Sequence, residues 1–409
     1  MRKEDIKKLF EETAYIRTGG SQEEKQCAEY IQAKCKEIGV DATIEEFEVD
    51  MADMKEAIFT VDGEEIPCTG YLCAGSGVVE APIYYLTGDD KYSLSQCKGK
   101  IVLIDGLMGY WKYQDLLEAG MVGFITYTGN ANYADEEIDI KELRSYVSQG
   151  KKVPGVNINV KTAIKLVENN CKMAQIRLEQ EEYKGVSRNV VANLPGEVEE
   201  YIVLTAHYDS VALSQGAYDN MSGSIGILAM AEYFSTHPHH YGIRIIWCGS
   251  EERGLLGSKA YVSAHEEELK QVVFNVNLDM IGCTMGKFIA VCTAEEKLVS
   301  YLKYFGDMEG FPIAAKQEVY SSDSTPFADK GIPAMSFARI APSNTATIHN
   351  SYDTMKVMKM EHMEQDIAII TKFVDTMANA KRIPVERMIP DNMKEKLDIY
   401  LCRKRDDKK

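Results

Sequence analysis

Histidine and acidic residues recur in this sequence directly after apolar runs that are typical of buried strands. Asp279 is the sharpest case, because it follows VVFNVNL and an unpaired buried carboxylate is costly there. Taken singly, the others have ordinary explanations as satisfied polar groups, helix caps or solvated side chains. Together they are the residue types that hold metal ions. These candidates are His207, Asp219, the pair Glu251 and Glu252, Asp279 and His349.

The number of candidate ligands fits a centre of two zinc ions. Each ion needs ~3 protein ligands, and one shared water and one bridging carboxylate reduce the requirement to ~5 residues. Adjacent carboxylates on an extended segment or tight turn point apart. One of Glu251 and Glu252 can therefore ligate a metal while the other takes a proton from the bound water. The chemistry indicated is metal-assisted hydrolysis.

The elements that would position these residues are predicted from residue 189 onwards. Apolar strand-like runs alternate there with amphipathic segments, which is typical of an α/β fold with a mixed, mostly parallel sheet flanked by helices. In such sheets, ligands bind at the carboxyl ends of the strands, where the candidates lie. The predicted strands are VVANL, YIVLTA, IRIIWC, VVFNVNLD, FIAVC and AMSFA, and the predicted helices are 222–236, 256–270, 295–306 and 364–380.

Two further segments have a pattern of predicted elements that differs from this α/β region. The N-terminal segment predicts a helix over 2–16 and a second helix capped by Ser21, followed by a strand over 40–49. The middle of the chain carries short β-rich runs, with a strand–helix–strand element near 101–128. The predicted parts are 1–54 (the start of the α/β domain), 55–185 (a β-rich inserted domain), 186–385 (the domain with the candidate ligands) and 386–409 (a charged C-terminal tail).

Composition excludes several classes of partner. The net charge is -17 and the pI is near 5, so binding to nucleic acid or to anionic membranes is disfavoured. No apolar run reaches the ~20 residues of a membrane span, and the N-terminus lacks a signal-like segment. Ten scattered cysteines fit free thiols in a reducing compartment. The expectation is a soluble, cytoplasmic protein.

Several motifs in order resemble the family of two-zinc aminopeptidases that also contains glutamate carboxypeptidases, glutaminyl cyclases and the transferrin receptor. The resemblance covers roughly 186–380, and the N-terminal helices resemble the family's opening segment. The insert resembles a protease-associated domain through GKIVLID and VPGVNINV. The motifs of the main resemblance are HYDS, GAYDNMSG, SEERGLLGS, NLDMIG, SSDSTPF and HNSYDT.

The resemblance implies a role for each candidate. Asp219 would bridge two Zn²⁺ ions, His207 and Asp279 would complete one site, and Glu252 and His349 the other. It also implies a cis peptide bond after the bridging residue. The remaining roles implied are Glu251 as catalytic base, Asp209 as the carboxylate that orients His207, and Asp353 as a similar group near His349.

One motif departs from the family's pattern. Relatives often read SDH where this chain has Ser322, Asp323 and Ser324, so the substrate pocket is expected to differ. Tyr320 is the nearest candidate for the tyrosine that stabilises the oxyanion, although its spacing is one residue off.

The function expected from this resemblance is hydrolysis of the N-terminal peptide bond of peptides by a zinc aminopeptidase. A carboxypeptidase would need cationic groups for a terminal carboxylate, for which Arg253 and Arg339 are candidates. A cyclase would operate with one zinc. A non-catalytic binding protein would have lost some of the metal-ligating residues, all of which are present here. The partners expected are peptides, without nucleic acid or membrane, and a homodimer is one option for the assembly.

Overall fold

The computed structural model describes residues 1–134 and 137–406. These residues form two compact units. The larger unit combines Met1–Glu48 with the chain from Val186 onwards, and the inserted unit comprises Val49–Gly185.

The strands are numbered in chain order. They are β1 Ala42–Val61, β2 Glu64–Glu65, β3 Thr69–Gly70, β4 Gly77–Tyr85, β5 Ile101–Leu103, β6 Gly123–Thr128, β7 Gly155–Asn159, β8 Met173–Leu194, β9 Tyr201–His207, β10 Gly242–Cys248, β11 Val272–Leu278, β12 Lys287–Thr293, β13 Ala314–Gln317 and β14 Ala334–Ile340.

The α-helices follow the same numbering scheme. They are α1 Lys3–Thr13, α2 Gln22–Glu37, α3 Lys91–Ser95, α4 Tyr110–Glu118, α5 Ser145–Ser148, α6 Val160–Glu168, α7 Ser222–Phe234, α8 Leu256–Ala264, α9 Glu296–Glu309, α10 Ser324–Asp329, α11 Met360–Ala378 and α12 Asp391–Tyr400. A π-helical turn spans Ala217–Met221, and short 3₁₀ turns span Glu268–Gln271 and Met355–Val357.

The larger unit is built on a mixed sheet with the strand order β13-β12-β14-β11-β9-β10-β8. Strands β10, β9, β11 and β14 are mutually parallel, whereas β8 and β12 run antiparallel to their neighbours β10 and β14. The sheet is the mixed, mostly parallel one predicted from the apolar runs, so the predicted fold class is confirmed.

Helices cover both faces of this sheet because side chains alternate along each buried strand. In β9, Ile202 and Leu204 join the core formed with α1, α2, α7, α9 and α11. Val203 points to the other face and joins a smaller core with Tyr261 of α8 and Phe327 of α10. Gly223 lets α7 approach the end of β11 closely, since a Cβ there would lie 2.3 Å from the carbonyl oxygen of Leu278.

The inserted unit has its own sheet, in which β4, β5, β6 and β7 are parallel neighbours. The predicted strand–helix–strand element is present as β5, α4 and β6. Two apolar cores fill this unit, one around Ile125 and Ile158 and the other around Phe124 and Tyr113.

Both ends of the described chain are anchored to the larger unit. The side chain of Ser21 accepts a hydrogen bond from the amide of Glu24, as expected for the N-cap of α2. Near the other end, α12 buries Met393 and Leu397 against Ala334 of β14. Leu397 is buried, whereas Ile399 is only half-buried. Across the described ranges, no helix is both long and apolar enough to cross a membrane.

Candidate active site

The candidate residues meet at one edge of the sheet because their strands run in the same direction. Cys248, the last residue of β10, is in register with His207, the last residue of β9. Leu278 ends the neighbouring strand β11, and Asp279 follows it directly. The carboxyl ends of three parallel strands therefore deliver His207, Asp279 and the loop with Glu251 to one place.

His207, Asp219 and Asp279 form the first of two ligand groups, with one candidate ligand atom from each within 4.8 Å of the others. Nε2 of His207 lies 3.2 Å from Oδ1 of Asp219 and 3.8 Å from Oδ1 of Asp279. All three residues are buried.

Asp219, Glu252 and His349 form the second group, again within 4.8 Å. Nε2 of His349 lies 3.1 Å from Oδ2 of Asp219 and 3.1 Å from Oε2 of Glu252. The side chain of His349 is 44% exposed, so this group faces solvent more than the first. Asp219 turns one carboxylate oxygen towards each group.

The donors of these two groups fit a pair of zinc ions. Imidazole nitrogens and carboxylate oxygens are ordinary zinc ligands. Among residues 1–134 and 137–406, Oδ1 of Asp279 is buried and has no hydrogen-bond partner. This is expected of an oxygen that would bind a cation. Burial lowers the pKa of His349, but Glu252 and Asp219 outweigh this effect and raise it to about 11. The field at the site therefore favours positive charge.

Glu251 lies beside the first group without belonging to it. Its Oε2 is 3.9 Å from Nε2 of His207. Burial raises the pKa of Glu251 well above its ordinary value, and the neighbouring carboxylate of Glu252 adds to this shift while His207 opposes it. A largely buried carboxyl group with a raised pKa, placed next to a candidate metal site, is suited to accept and return a proton.

Asp209 has a wider structural role than its expected contact with His207. Its Oδ1 lies 3.4 Å from Nδ1 of His207. The same carboxylate accepts hydrogen bonds from the amides of Glu251 at 2.9 Å and Glu252 at 3.2 Å. Asp209 therefore contacts both the candidate ligand His207 and the turn with the two glutamates. The second contact joins residues some forty positions apart, and no local pattern indicates it.

Asp353 contacts the backbone of Asp219, the residue common to both candidate ligand groups. Its carboxylate accepts hydrogen bonds from the amides of Tyr218 at 2.8 Å and Asp219 at 3.1 Å. The expectation was that Asp353 orients His349, whereas its observed hydrogen bonds go to the backbone of Tyr218 and Asp219. The peptide bond between Asp219 and Asn220 is cis, which confirms that prediction.

Asn220 connects the same turn to the end of β11. Its side-chain amide donates to the carbonyl of Leu278 at 2.9 Å, and its oxygen accepts from the amide of Met280 at 3.0 Å. These two bonds flank Asp279. The position of Asp219 relative to Asp279 is therefore set by Asn220, the residue that follows Asp219 within the turn.

Burial and the charged groups of the candidate site shift the pKa values of Tyr320 and Asp323. Burial raises the pKa of Tyr320 well above its ordinary value, and the carboxylates of Asp279 and Asp219 add to this effect. Burial also raises the pKa of Asp323 to about 6, although its carboxylate accepts a hydrogen bond from Ser258. The acidic residue of this motif is thus buried, and Ser324, which stands where relatives often have the histidine of SDH, is buried as well.

A family model described as peptidase family M28 matches residues 189–374, which include every candidate ligand. Residues 189–374 are thus similar to peptidase family M28. The resemblance stated from the motifs is confirmed in this respect.

The chain is also similar to curated and solved aminopeptidases. It is 28% identical to aminopeptidase YwaD of Bacillus subtilis over 407 residues, covering 94% of this chain and 86% of that protein. It is 31% identical to leucine aminopeptidase 2 of Trichophyton equinum over 210 residues, which are 48% of this chain and 38% of that protein. The structure of a zinc aminopeptidase from Bacillus subtilis matches with a TM-score of 0.77 and 25% identity, covering 95% of this chain and 98% of that one. The prediction that the chain is a metallo-aminopeptidase is confirmed by this family and these relatives.

Proposed function

We propose that the protein hydrolyses the N-terminal peptide bond of peptides with two zinc ions and Glu251 as general base. The observation that carries this proposal is the sharing of Asp219 between two ligand groups, one with His207 and Asp279 and the other with Glu252 and His349. A single-metal site would not need a carboxylate that faces both groups. The zinc aminopeptidase of Bacillus subtilis, similar over 95% of this chain, supports the choice of metal.

Two zinc ions held by these ligands would polarise the scissile carbonyl, lower the pKa of water and bind the free amino group of the substrate. The residues of the chain supply the proton transfers. Glu251, whose side chain is 12% exposed and lies 3.9 Å from the His207 imidazole, takes a proton from the attacking water and returns it to the leaving amine. Asp209 holds the amide of Glu251 at 2.9 Å and so keeps this carboxylate in place. Tyr320 is the proposed donor to the oxyanion.

The contacts of Arg339 disfavour the carboxypeptidase alternative. Its guanidinium donates through Nε and Nη2 to the two carboxylate oxygens of Asp366, the first at 2.8 Å. A paired guanidinium of this kind is committed to its partner and is a poor anchor for a substrate carboxylate. Arg253, the other candidate, donates to the carbonyl of Gly19 in the N-terminal segment.

The test is a panel of aminoacyl-nitroanilides and their N-blocked counterparts, assayed before and after removal of metal. Activity on unblocked substrates that is lost with chelator and restored by zinc is the expected result. Cleavage of N-blocked substrates at similar rates would contradict the aminopeptidase assignment. A metal content of one zinc per active chain would contradict the two-ion site and favour the cyclase alternative.

Three further expectations from the sequence stay predictions. They are the protease-associated character of the inserted unit, the cytoplasmic location and the homodimer.

A further inference from the structure

Arg17 is a cation buried beside the candidate site. The residue is fully inaccessible to solvent. Its guanidinium donates to four backbone carbonyls: those of Tyr15 at 2.7 Å and Gly216 at 2.8 Å, and those of Tyr208 and Gln215. Burying a charged group is costly unless it is hydrogen-bonded, and these carbonyls meet that requirement.

The carbonyls that Arg17 holds lie on the segment between two candidate ligands. Three of the four belong to residues 208–216, which connect His207 to the turn with Asp219. The backbone of Arg17 adds two more bonds, because its amide donates to Oγ of Ser210 and its carbonyl accepts from the Ser210 amide. The connection between the first ligand and the bridging ligand is thus tied to the N-terminal segment.

The backbone at Gly216 packs closely against Asp219 and the Arg17 guanidinium. Its φ is 55°, in the left-handed region where a side chain is strained. A Cβ at this position would lie 2.6 Å from the carbonyl oxygen of Asp219 and 3.1 Å from Nη2 of Arg17. The guanidinium therefore occupies the space directly behind the bridging ligand's backbone.

Glu24 makes the corresponding contact with the other half of the site. Its Oε2 accepts from the amide of Gly20 at 2.9 Å, and its Oε1 accepts from the hydroxyls of Ser187 and Ser250. Ser250 has a φ of 52° and directly precedes Glu251. Gly19 is packed against the same serine, since a Cβ there would lie 2.2 Å from Oγ of Ser250.

We propose that the segment Arg17–Glu24 is a positioning element for both halves of the metal site. Arg17 fixes the segment from His207 to Asp219, and Glu24 fixes the turn that carries Glu251 and Glu252. The element holds the carboxylates of the site at ligand distance against their mutual repulsion before metal binds. This inference rests on the proposed metal site and adds residues that lie far from it in the sequence.

The test compares Arg17→Lys with a matched arginine elsewhere. Lysine keeps the charge of Arg17 but cannot donate to four carbonyls in one plane. Arg387 is the control, because its guanidinium also holds two carbonyls, those of Val272 and Leu269, at 3.0 Å and 2.7 Å, at a place that the candidate ligands do not share. Zinc affinity is measured by competition with a chromophoric chelator, alongside kcat, KM and the Tm of the metal-free protein.

The expected result separates the two arginines. Arg17→Lys weakens zinc binding by about 10- to 100-fold, the range for groups that orient metal ligands. Arg387→Lys lowers Tm and leaves zinc affinity unchanged. Glu24→Ala weakens binding as Arg17→Lys does, and Glu24→Gln restores it in part, because the carboxamide oxygen can accept from the Gly20 amide while the NH2 group donates to the hydroxyl oxygens of Ser187 and Ser250.

Each failure points to a different error. If the unmodified protein is purified without zinc and takes up none, the proposed function fails. If it binds zinc and Arg17→Lys retains the same affinity and kcat in folded protein, the positioning role is wrong. Should Arg17→Lys not fold, Ser210→Ala takes its place, since it removes only the hydroxyl that accepts from the Arg17 amide; unchanged zinc affinity there overturns the proposal equally.

Discussion

Oδ2 of Asp219 lies 3.1 Å from Nε2 of His349, while the other oxygen of the same carboxylate is turned towards His207. Asp219→Ala should therefore weaken the binding of both zinc ions. Asp279→Ala should weaken only the ion held with His207, because Asp279 belongs to one ligand group. Metal content per chain after dialysis, measured by atomic emission, distinguishes the two outcomes. Equal losses in the two variants would mean that Asp219 is not shared.

Replacing Glu251 tests the general base. Glu251→Gln keeps the shape of the side chain but removes the basic oxygen, so kcat should fall by ~10²- to 10⁴-fold. Zinc content should be unchanged, because Glu251 lies in neither ligand group. Glu386→Gln, at an exposed position, is the control and should keep full activity. Near-normal turnover of Glu251→Gln with both ions bound would remove Glu251 from the mechanism.

Asp209→Asn tests the carboxylate that holds the glutamate turn. One of its oxygens becomes an amino group that faces the amide of Glu251 or Glu252, so the turn loses a hydrogen bond and gains a repulsive contact. We expect zinc affinity or kcat to fall about 10- to 100-fold. Isothermal titration with zinc and steady-state kinetics measure the two effects. Asp307→Asn, at an exposed position of α9, should change neither quantity.

His265 gives the larger unit a pH-dependent stability. Its Nε2 lies 3.0 Å from Glu45 and its Nδ1 lies 2.9 Å from Glu268, which also pairs with Arg244; the ring stacks on Tyr261. Burial lowers the pKa of His265, but the hydrogen bonds to Glu268 and Glu45 outweigh this effect and raise it above its ordinary value.

Because the folded-state pKa is raised, the stabilisation is complete below the unfolded pKa and is lost as the pH rises through the folded pKa. His265→Gln should therefore lower the free energy of unfolding by up to about 1 kcal/mol, the scale of partly exposed ion pairs. Urea unfolding at about pH 5.5 and about pH 9 should show this loss at the lower pH only. A loss that is the same at both values would show that the charge of His265 is irrelevant.

Phe373 is the centre of the aromatic packing on one face of the sheet. It is fully buried, and its ring lies 5.4 Å from that of Phe337 and 5.7 Å from that of Phe305. Phe373→Ala should lower the free energy of unfolding by ~3–5 kcal/mol because it leaves a cavity that the sheet cannot close. Phe373→Leu fills most of that space and should lose less. Chemical unfolding followed by tryptophan fluorescence measures both.

The positions of the strands and of the ligand-bearing loops were accessible from the sequence because their signals are local. The run VVFNVNL predicted a strand that ends directly before a carboxylate. In the structure this run is β11, and Asp279 follows its last residue. Helix ends were less well predicted. The helix expected over 256–270 ends at Ala264 and continues as a separate 3₁₀ turn, since no apolar periodicity distinguishes these two forms.

Contacts between distant parts of the chain could not be predicted in the same way. Arg17 and Glu24 carry no local sign of a buried role, and Glu24 is the residue type expected three positions after an N-cap. Its carboxylate instead reaches Ser187 and Ser250, which are distant in the sequence. The family resemblance implied that Asp353 orients His349, but its hydrogen bonds go to Tyr218 and Asp219.

The division of the larger unit into two separate stretches of chain has a consequence for its synthesis. Ile6 and Phe10 of α1 share one core with Ile370 and Val374 of α11, so they leave the ribosome long before their partners exist. The inserted unit draws its core from residues 54–178 alone and can fold while the rest is still being translated. Until α11 emerges, the apolar face of α1 lacks this partner, and the nascent chain is susceptible to aggregation and to chaperone binding during that interval.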